Sequence, residues 1–293
     1  MESGKLPTLA PRLTPFEFQE LQRLFNEVAG LRIEDSALPL LERRLAARLP
    51  LHDLSTFRDY LRLLQFGVQS AEEMAAACDL LTTGETYFFR HKEQLSLLTE
   101  TILPTVAANN AASRRLTIWS AGCSSGEEAY TAAILINESG LFHGWSIRIV
   151  GNDLSHERIE LARQGCYFKG AFRTTEAHIR DRYFEASGRF WQIHEPIRRL
   201  CHFAPLNLLG KDIESFVGRV DIIFCRNVLI YLSEKARTRV VESLYERLVP
   251  GGYMLLGHSE SLKSLNTPFE LIGMGQDLAF RKPGRGARRG SDE

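Results

Sequence analysis

The segment Ala121–Tyr130, with the sequence AGCSSGEEAY, constrains the fold of this chain more than any other segment, because it follows the short apolar run Leu116–Trp119. Five of its first six residues are small, which lets the backbone turn sharply and approach a ligand closely. An apolar run, a turn of small residues and a helical segment in this order predict one strand–turn–helix unit of an α/β sheet.

The charge of this turn indicates what kind of ligand it binds. A phosphate-binding turn presents the start of a helix to an anion and usually carries a nearby lysine. Here Glu127 and Glu128 occupy the start of the helix, where they would repel phosphate. A cationic group, such as the ammonium of an amino acid, suits the turn better. The turn therefore predicts S-adenosylmethionine rather than a phosphate-bearing dinucleotide, and it disfavours a dehydrogenase.

The composition is that of an ordinary globular protein. The chain has 293 residues, of which 44% are hydrophobic and 25% are charged, and its formal net charge is zero. This length predicts one large or two medium domains. A chain without net charge gives no reason to expect a nucleic-acid partner.

The cysteines and the apolar runs indicate the compartment. The cysteines are scattered and form no CxxC pair, which disfavours a zinc site and suits a reducing cytosol: Cys78, Cys123, Cys166, Cys201 and Cys225. The sequence shows no signal-peptide pattern and no apolar run of membrane-spanning length. We therefore expect a cytoplasmic protein with no metal ion and no direct membrane insertion.

Residues 1–80 are predicted to form an all-α domain. Thr14 caps a first helix and Glu17 completes a capping box, and Ser70 with Glu73 repeats this pattern at the start of a fourth helix. Apolar residues at helical spacing follow in each segment. The second helix places Leu38, Leu41, Leu45 and Leu49 on one face. Arg44 and Arg48 flank that face, and Arg43 lies further round the helix.

Beyond Arg90 the pattern changes to short apolar strands that alternate with amphipathic helices, which implies a mostly parallel, doubly wound sheet. The predicted strands are 116–120, 147–152, 200–206, 220–225, 253–256 and a closing hairpin over 269–272 and 278–281. The helix before the fifth strand is predicted to reach Leu248 and to be stopped by Pro250. Residues 166–199 do not fit the alternation and are predicted to form a small insertion.

Polar residues follow the predicted strands at their carboxyl ends, where ligands bind in such sheets. Asp153 could hold ribose hydroxyls, or it could cap the next helix. Asn207 could hydrogen-bond an adenine edge, or it could be an ordinary turn residue. Arg226 and Asn227 lie at the tip of a buried strand, with Tyr231 four residues further on. This pattern favours a ligand-facing pair over an arginine that pairs with a surface acid.

The segment Leu81–Arg90, with the sequence LTTGETYFFR, joins the helical region to the sheet. Three aromatic residues precede Arg90, which predicts a partly desolvated guanidinium that could orient a carboxylate. An aromatic hinge with a solvated arginine is the alternative. The later segment His258–Ser261 suggests a catalytic triad by composition, but no nucleophile elbow accompanies it, so we interpret it as a loop at the end of a strand.

The motifs LTTGETYFFR, WSAGCSSGEEAY, NDLS, FCRNVLIY and GHSES, in this order, resemble those of the CheR-type chemotaxis receptor methyltransferases. The resemblance covers nearly the whole chain. It implies S-adenosylmethionine-dependent methylation of glutamate side chains on the cytoplasmic helices of methyl-accepting chemotaxis receptors, with S-adenosylhomocysteine as the by-product. It also implies recruitment of a cytoplasmic enzyme to receptor arrays.

The resemblance implies a doubly wound, seven-stranded methyltransferase sheet with a reversed last strand, a small β-subdomain insertion and an all-α N-terminal domain. The expected boundaries are a helical domain over 1–80, a linker that contributes to the cofactor site over 81–92, a methyltransferase domain over 93–284 with its β-subdomain at 166–199, and a disordered tail over 285–293.

The resemblance assigns roles to residues at matching positions. Glu128 matches the ligand of the methionine ammonium, and Asp153 matches the ribose ligand. Arg90 and Tyr231 match positions beside the transferring methyl group, and they are the predicted catalytic residues. Glu127 is interpreted only as a charge at the helix start. The other expected cofactor contacts are Thr86, Arg90, Gly122, Asn207, Leu208, Arg226 and Asn227.

The chain departs from the family pattern at three places. Gly84 stands where some members have asparagine, and Ala129 replaces a common proline. The loop at Gly188–Arg189 is shorter than the loop with which some relatives hold a receptor's C-terminal pentapeptide. We therefore expect no dependence on such a tether.

Several alternatives stay open. The chain could methylate another signalling protein, or it could bind the cofactor as a non-catalytic adaptor. The adaptor is disfavoured because the predicted site residues are retained: Arg90, Glu128, Asp153, Asn227 and Tyr231. The basic residues of the second helix could dock an acidic receptor helix bundle, or they could form a solvated face: Arg43, Arg44 and Arg48.

Overall fold

The computed structural model describes residues 11–284 except Gln69, Thr82, Thr83, Ser264, Gly275 and Gln276. The chain divides into two compact units, Met1–Thr83 and Gly84–Glu293. The predicted disordered tail, as well as Thr82 and Thr83 of the LTTGETYFFR motif, lie outside the described residues.

The first unit is all-α, as predicted, and its helices are α1 (Pro15–Ala29), α2 (Leu38–Ala46), α3 (Phe57–Phe66) and α4 (Ser70–Leu81). The predicted capping box starts α1: the N–H of Glu17 donates to Thr14 Oγ1, and the N–H of Thr14 donates to the Glu17 carboxylate. Gly30 ends α1 with a φ of 71°, a conformation that glycine adopts without strain. The apolar faces of the helices form the core, which includes Phe18, Phe25, Leu41, Leu45, Phe57, Leu61 and Met74.

The capping box predicted for α4 is wrong. Ser70 is the first residue of the helix rather than its cap, and its N–H donates to the Gly67 carbonyl at 3.1 Å. The Glu73 side chain does not turn back to Ser70, because it is buried, with 3% of the residue exposed.

Glu73 is instead the centre of a buried polar cluster. Its carboxylate accepts from Arg48 Nε at 2.9 Å and from the Tyr60 hydroxyl, and it lies 2.6 Å from His52 Nε2. Burial opposes ionisation of Glu73, but the hydrogen bonds from Arg48, Tyr60 and His52 outweigh it and lower the pKa of the carboxyl. The cluster therefore ties α4 to α3 and to the segment that follows α2.

The strands of the second unit are β1 (Arg115–Ala121), β2 (Ser146–Asp153), β3 (Cys166–Phe168), β4 (Phe184–Ser187), β5 (Phe190–Ile193), β6 (Cys201–Pro205), β7 (Val220–Cys225), β8 (Leu248–Leu256), β9 (Glu270–Met274) and β10 (Asp277–Arg281). Seven of them form one sheet in the order β6-β2-β1-β7-β8-β10-β9. The first five strands of this order are parallel, and β10 is antiparallel to both of its neighbours. The doubly wound, seven-stranded sheet with a reversed last strand is thus confirmed.

Helices cover both faces of this sheet. They are α5 (Lys92–Leu97), α6 (Leu103–Asn109), α7 (Glu127–Ser139), α8 (His156–Gln164), α9 (Ala177–Tyr183), α10 (Glu195–Arg198), α11 (Ile213–Val217) and α12 (Glu234–Arg247). Alternate residues of β1 point to opposite faces. Ile118 accordingly belongs to one apolar cluster and Trp119 to the other.

The bounds of the predicted strands of the main sheet differ from the observed ones by at most two residues, except in β8. This strand begins at Leu248 rather than at Tyr253, so α12 ends at Arg247 and Pro250 lies inside the strand. The register between β7 and β8 shifts after the Val220–Leu248 pair, and Gly251 has a φ of 81° in the bulge that results. A bulge is a position where a sheet tolerates proline.

The insertion forms a separate antiparallel sheet in the order β3-β5-β4, which is the small β-subdomain. It packs around Phe88 of the LTTGETYFFR motif, which is fully buried. The Phe88 ring stacks on Phe172 at 5.0 Å and meets the edges of Tyr167 at 4.8 Å and Phe184 at 4.9 Å between ring centroids. The aromatic part of the motif therefore anchors the β-subdomain.

All five cysteines are free, and four of them are buried. In the described part of the chain, no helix combines the length and the apolar character needed to cross a membrane. Over the same residues, no group of three or more His, Cys, Asp or Glu side chains is arranged to hold a metal ion.

Candidate active site

The candidate site lies at the carboxyl ends of β1, β2 and β7, where the order of the strands switches sides of the sheet. The turn after β1 requires glycine at Gly122 and Gly126, whose φ values are 72° and 91°. A Cβ at Gly122 would also lie 2.5 Å from Val228 Cγ2. The N–H groups of Gly122 and Cys123 both donate to the Asn152 carbonyl at 2.9 Å. The turn is thus fixed against β2.

Glu128 is the second residue of α7, directly after the turn that follows β1. Its carboxylate accepts from Ser120 Oγ at 2.7 Å and from Arg226 Nη1 at 3.3 Å. Only 4% of the Arg226 side chain and 16% of the Glu128 side chain are exposed. Burial raises the pKa of Glu128, an effect that Arg226 opposes, and burial lowers the pKa of Arg226. The ion pair favours the charged carboxylate and leaves it acceptor positions for a cationic ligand.

Glu127 has a larger role than the sequence interpretation allowed. It is buried, with 4% exposed, and it accepts hydrogen bonds from Ser125 Oγ at 2.8 Å and from Thr86. Burial raises the pKa of its carboxyl. Glu127 therefore links the LTTGETYFFR motif to the turn. Nearby, a Cβ at Gly84 would lie 2.9 Å from Arg158 Nη2, so asparagine there would displace that guanidinium.

Asp153 ends β2 and contacts the turn. Its carboxylate accepts from the N–H of Ser124 at 2.9 Å and from the N–H of Ser155 at 3.0 Å. The cap of α8 is Ser155, whose side chain accepts from the N–H of Arg158. Ser155, not Asp153, is therefore the cap of α8. Asp153 lies beside the turn after β1, and its ribose contact stays a prediction.

Arg90 is held between charged and aromatic neighbours. Its carbonyl accepts from Arg226 Nη2 at 2.7 Å, and its own Nη1 donates to the Glu85 carbonyl at 2.7 Å. The guanidinium lies 5.5 Å from the centroid of the Tyr87 ring. The side chain is half-buried, so the guanidinium is partly desolvated.

Backbone strain marks the same segments. Phe89, His91, Ser124 and Asn227 are non-glycine residues with φ values of 57°, 59°, 48° and 61°. Such conformations cost roughly 1–3 kcal/mol each and persist where the surrounding structure imposes them, which is typical of functional sites. Two of these residues flank Arg90, one lies in the turn, and one follows Arg226.

Buried polar atoms without a hydrogen-bond partner among the described residues also occur here: Arg90 Nε, His91 Nε2, Ser124 Oγ, Arg226 Nε and Asn227 Oδ1. An unsatisfied buried group costs about 1–3 kcal/mol, so these atoms favour a polar ligand. The ammonium and the ribose hydroxyls of S-adenosylmethionine are donors whose hydrogen bonds carboxylates such as Glu128 and Asp153 can accept. Gly122 lets the backbone of the turn pack closely against Val228. The residues present therefore fit the cofactor.

The remaining predicted contacts follow β6 and β7. Asn207 Oδ1 accepts from the N–H of Leu209 at 2.9 Å, so the turn role of Asn207 is observed and its adenine contact stays a prediction. Leu208 packs against the apolar cluster that includes Trp119. Tyr231 is half-buried and ends the short helical turn Leu229–Tyr231. Its role beside the methyl group also stays a prediction.

The sequence did not single out Asn152 or His91. Asn152 is fully buried, its Oδ1 accepts from Trp119 Nε1 at 2.7 Å, and its Nδ2 donates to the Leu206 carbonyl at 2.9 Å. It thereby joins the ends of β1, β2 and β6. The His91 ring lies 4.2 Å from the His258 ring, and burial together with Arg226 lowers its pKa to about 4. Two features of the sequence could have identified these residues. Asn152 is a polar residue inside an apolar strand, and His91 directly follows Arg90.

Arg43 and Arg44 of α2 and Arg48, two residues after its end, do not share one free face. Arg48 pairs with Glu73, and Arg44 donates to the Leu80 carbonyl. Arg43 is the exposed residue of the three. A docking role stays a proposal for Arg43 alone, because the other two guanidinium groups bind within the helical unit.

Comparisons with known proteins add the family. Residues 84–277 match the family described as CheR methyltransferase, SAM binding domain, and residues 17–82 match the one described as CheR methyltransferase, all-alpha domain. A chemotaxis protein methyltransferase 2 of Vibrio cholerae is 32% identical over 94% of this chain and 95% of its own length. A chemotaxis protein methyltransferase of Vibrio parahaemolyticus is 35% identical over 90% and 96%. A probable biofilm formation methyltransferase WspC of Pseudomonas putida is 32% identical over 89% and 61%.

The two matches follow the order of the two units along the chain. The match over residues 84–277 is to an S-adenosylmethionine-binding domain, and it includes the turn after β1, the buried Glu128–Arg226 pair and Asp153. The cofactor is S-adenosylmethionine, as the charge of the turn predicted. The chain belongs to the CheR methyltransferase family.

Proposed function

We propose that this protein transfers the methyl group of S-adenosylmethionine to glutamate side chains on the cytoplasmic helices of methyl-accepting chemotaxis receptors. The products are glutamate methyl esters, which serve sensory adaptation. The observation that carries this proposal is the buried Glu128–Arg226 pair beside Arg90, found in a chain whose relatives over most of its length are chemotaxis protein methyltransferases.

Methyl transfer to a carboxylate needs little acid–base catalysis. When bound, S-adenosylmethionine supplies a methyl group on a sulfonium centre, and an ionised carboxylate oxygen takes it as the carbon–sulfur bond breaks. A glutamate is already ionised at neutral pH, so no general base is needed. Because both charges disappear in the reaction, a site that excludes water favours the transition state. The protein has to align the acceptor carboxylate with the methyl group and to exclude water from both.

The residues of the site divide this task. Arg90 is proposed to orient the acceptor carboxylate, since its guanidinium is partly desolvated and its Nε has no partner among the described residues. Tyr231 is proposed to shape the channel to the methyl group. Glu128 is proposed to hold the ammonium and Asp153 the ribose. The other proposed cofactor contacts are Thr86, Gly122, Asn207, Leu208, Arg226 and Asn227.

Transfer of labelled methyl into a panel of purified receptor cytoplasmic fragments tests the function. We expect label that is released by mild base, as glutamate methyl esters are, and no label in fragments whose acceptor glutamates are replaced by aspartate. Base-stable label, or label in receptor segments outside the helices, would contradict ester formation.

A second candidate function is methylation of a different signalling protein. It is favoured by the similarity to the Pseudomonas putida protein named for biofilm formation. The same assay with receptor-like proteins of other signalling systems separates the two candidates by where the label appears. Bound cofactor with no transfer to any fragment would indicate an adaptor.

Glu128→Gln is expected to weaken binding of S-adenosylhomocysteine by about 10–100-fold, because a hydrogen bond to a charged group contributes roughly 1.5–3 kcal/mol. Isothermal titration calorimetry measures this change. Glu157→Gln, on the exposed side of α8, is the control and is expected to bind normally. Normal affinity in the Glu128 variant would remove Glu128 as the ammonium ligand.

Independence from a receptor tail is also part of the proposal. Only Gly188 and Arg189 separate β4 from β5, and Gly188 has a φ of 60°, as a tight hairpin turn requires. We expect calorimetric titration with a receptor's C-terminal pentapeptide to show no saturable binding in the micromolar range. Removal of that pentapeptide from a receptor is expected to leave its KM unchanged. A micromolar Kd for the peptide would disprove this independence.

A further inference from the structure

Glu260, in the loop after β8, accepts four backbone hydrogen bonds. Its Oε2 accepts from the N–H groups of Asn227 and Gly257, both at 2.7 Å. Its Oε1 accepts from Val228 at 2.8 Å and from Leu229 at 2.7 Å. Three of these donors belong to the loop after β7. One carboxylate therefore joins the loops at the carboxyl ends of two neighbouring strands.

The shape of the β7 loop depends on this anion. Asn227 has a φ of 61°, and the three successive N–H groups from Asn227 to Leu229 converge on one carboxylate. Converging backbone N–H groups of this kind form an anion-binding concavity. At Gly257 a Cβ would lie 2.9 Å from the Asn227 nitrogen, so glycine is needed where the two loops meet.

Backbone donors fill the acceptor positions of the Glu260 carboxylate. A carboxylate offers about four acceptor positions, and four N–H donors occupy them. The composition of the segment His258–Ser261 suggests a triad, but the Glu260 carboxylate is bound to backbone rather than to His258. Its role is therefore to fix the backbone.

The Glu260 loop also meets the segment that follows Arg90. The His258 ring lies against the His91 ring, and Gln94 Nε2 of α5 donates to the Leu256 carbonyl at 2.7 Å. The loop thus contacts both segments that carry the arginine residues of the site.

We propose that Glu260 is a positioning residue for methyl transfer, which holds Asn227 and the turn that ends at Tyr231 in the arrangement that binds the cofactor. The inference rests on the proposed function for the roles of these two residues. Loss of the carboxylate would release the strained backbone at Asn227 and displace the side chain whose Oδ1 is buried without a partner among the described residues.

Glu260→Gln tests the inference, because glutamine keeps the shape but replaces one acceptor oxygen by an NH₂ donor that faces two N–H groups. We expect backbone amide exchange at residues 227–229 to accelerate at least tenfold, with exchange in β1 and α7 unchanged. We expect KM for S-adenosylmethionine to rise at least tenfold and KM for the receptor fragment to stay constant. Hydrogen-exchange mass spectrometry and steady-state kinetics measure these quantities.

Glu260→Asp retains the charge and is expected to recover part of both effects; it also decides the outcome if the glutamine variant does not fold. Glu242→Gln, on the exposed side of α12, is the matched control and should behave as the wild type. Unchanged exchange at 227–229 with unchanged kinetics overturns the inference while methyl transfer by the wild type still supports the function. Faster exchange throughout the second unit also overturns it, because Glu260 would then be a general stabilising residue. If the wild type methylates no receptor fragment, the proposed function fails, and exchange and cofactor affinity still test the positioning role.

Discussion

Replacement of Arg90 by alanine is expected to lower kcat by about 10²–10³-fold, the range for loss of one preorganised electrostatic donor at a reacting centre. The fold should persist, because the backbone of Arg90 is held independently of its side chain. Its carbonyl accepts from Arg226 at 2.7 Å, and Phe88, two residues earlier, is buried in the aromatic core of the β-subdomain. Labelled-methyl transfer to a receptor fragment measures kcat, and circular dichroism reports the fold.

Two further variants give this experiment its controls. Arg90→Lys keeps the charge but loses the planar fork, so its kcat should lie between those of the alanine variant and the wild type. Arg239→Ala, on the exposed side of α12, should leave kcat unchanged. The Kd for S-adenosylhomocysteine then separates a role toward the acceptor from a role toward the cofactor. A near-normal kcat in Arg90→Ala would refute the catalytic role.

The strands of the seven-stranded sheet were predictable because their signals are local. Buried runs such as Val220–Cys225 and the small-residue turn after β1 carry their structure in adjacent residues. The strand order was not predictable from local patterns, since the position of β10 between β8 and β9 depends on pairing across the whole unit. The reversed strand was therefore predicted only through the family resemblance.

The hydrogen-bond partners that the sequence did not predict lie far along the chain. Glu73 fits the capping-box spacing from Ser70, but Arg48, 25 residues away, decides where its carboxylate lies. Glu260 binds N–H groups 31 to 33 residues away, which no local pattern shows. The same holds for Arg44, whose carbonyl partner is 36 residues away. At each of these positions a tertiary contact decides where the side chain lies.

The bulge in β8 has a different cause. The triplet Pro250–Gly252 is a strong signal for the end of a helix, and α12 does end just before it, at Arg247. The chain then enters the sheet directly at Leu248, because this residue is fully buried and pairs with Val220. Because β8 begins at the buried Leu248, Pro250, Gly251 and Gly252 lie inside the strand.

Replacement of Glu73 by glutamine is expected to destabilise the helical unit by about 3 kcal/mol, the lower end of the range for breaking a buried ion pair. The lower end applies because Arg48 and His52 retain 23% and 19% side-chain exposure, whereas Glu73 has 2%. Hydrogen exchange of the full chain should show lower protection in α3 and α4 and normal protection in the sheet. Glu72→Gln, one residue earlier and exposed, should change stability by less than about 0.5 kcal/mol.

The pH dependence distinguishes a lost charge interaction from a lost packing contact. The pKa of Glu73 is lower in the folded chain than its ordinary value of 4.5, so the unfolded chain binds the proton more readily. The contribution of Glu73 is therefore complete above its ordinary pKa and is lost as the pH falls through its folded pKa. The stability difference between the wild type and Glu73→Gln should shrink as the pH falls below about 4. A difference that persists undiminished in acid would show that the glutamine variant fails through packing rather than through charge.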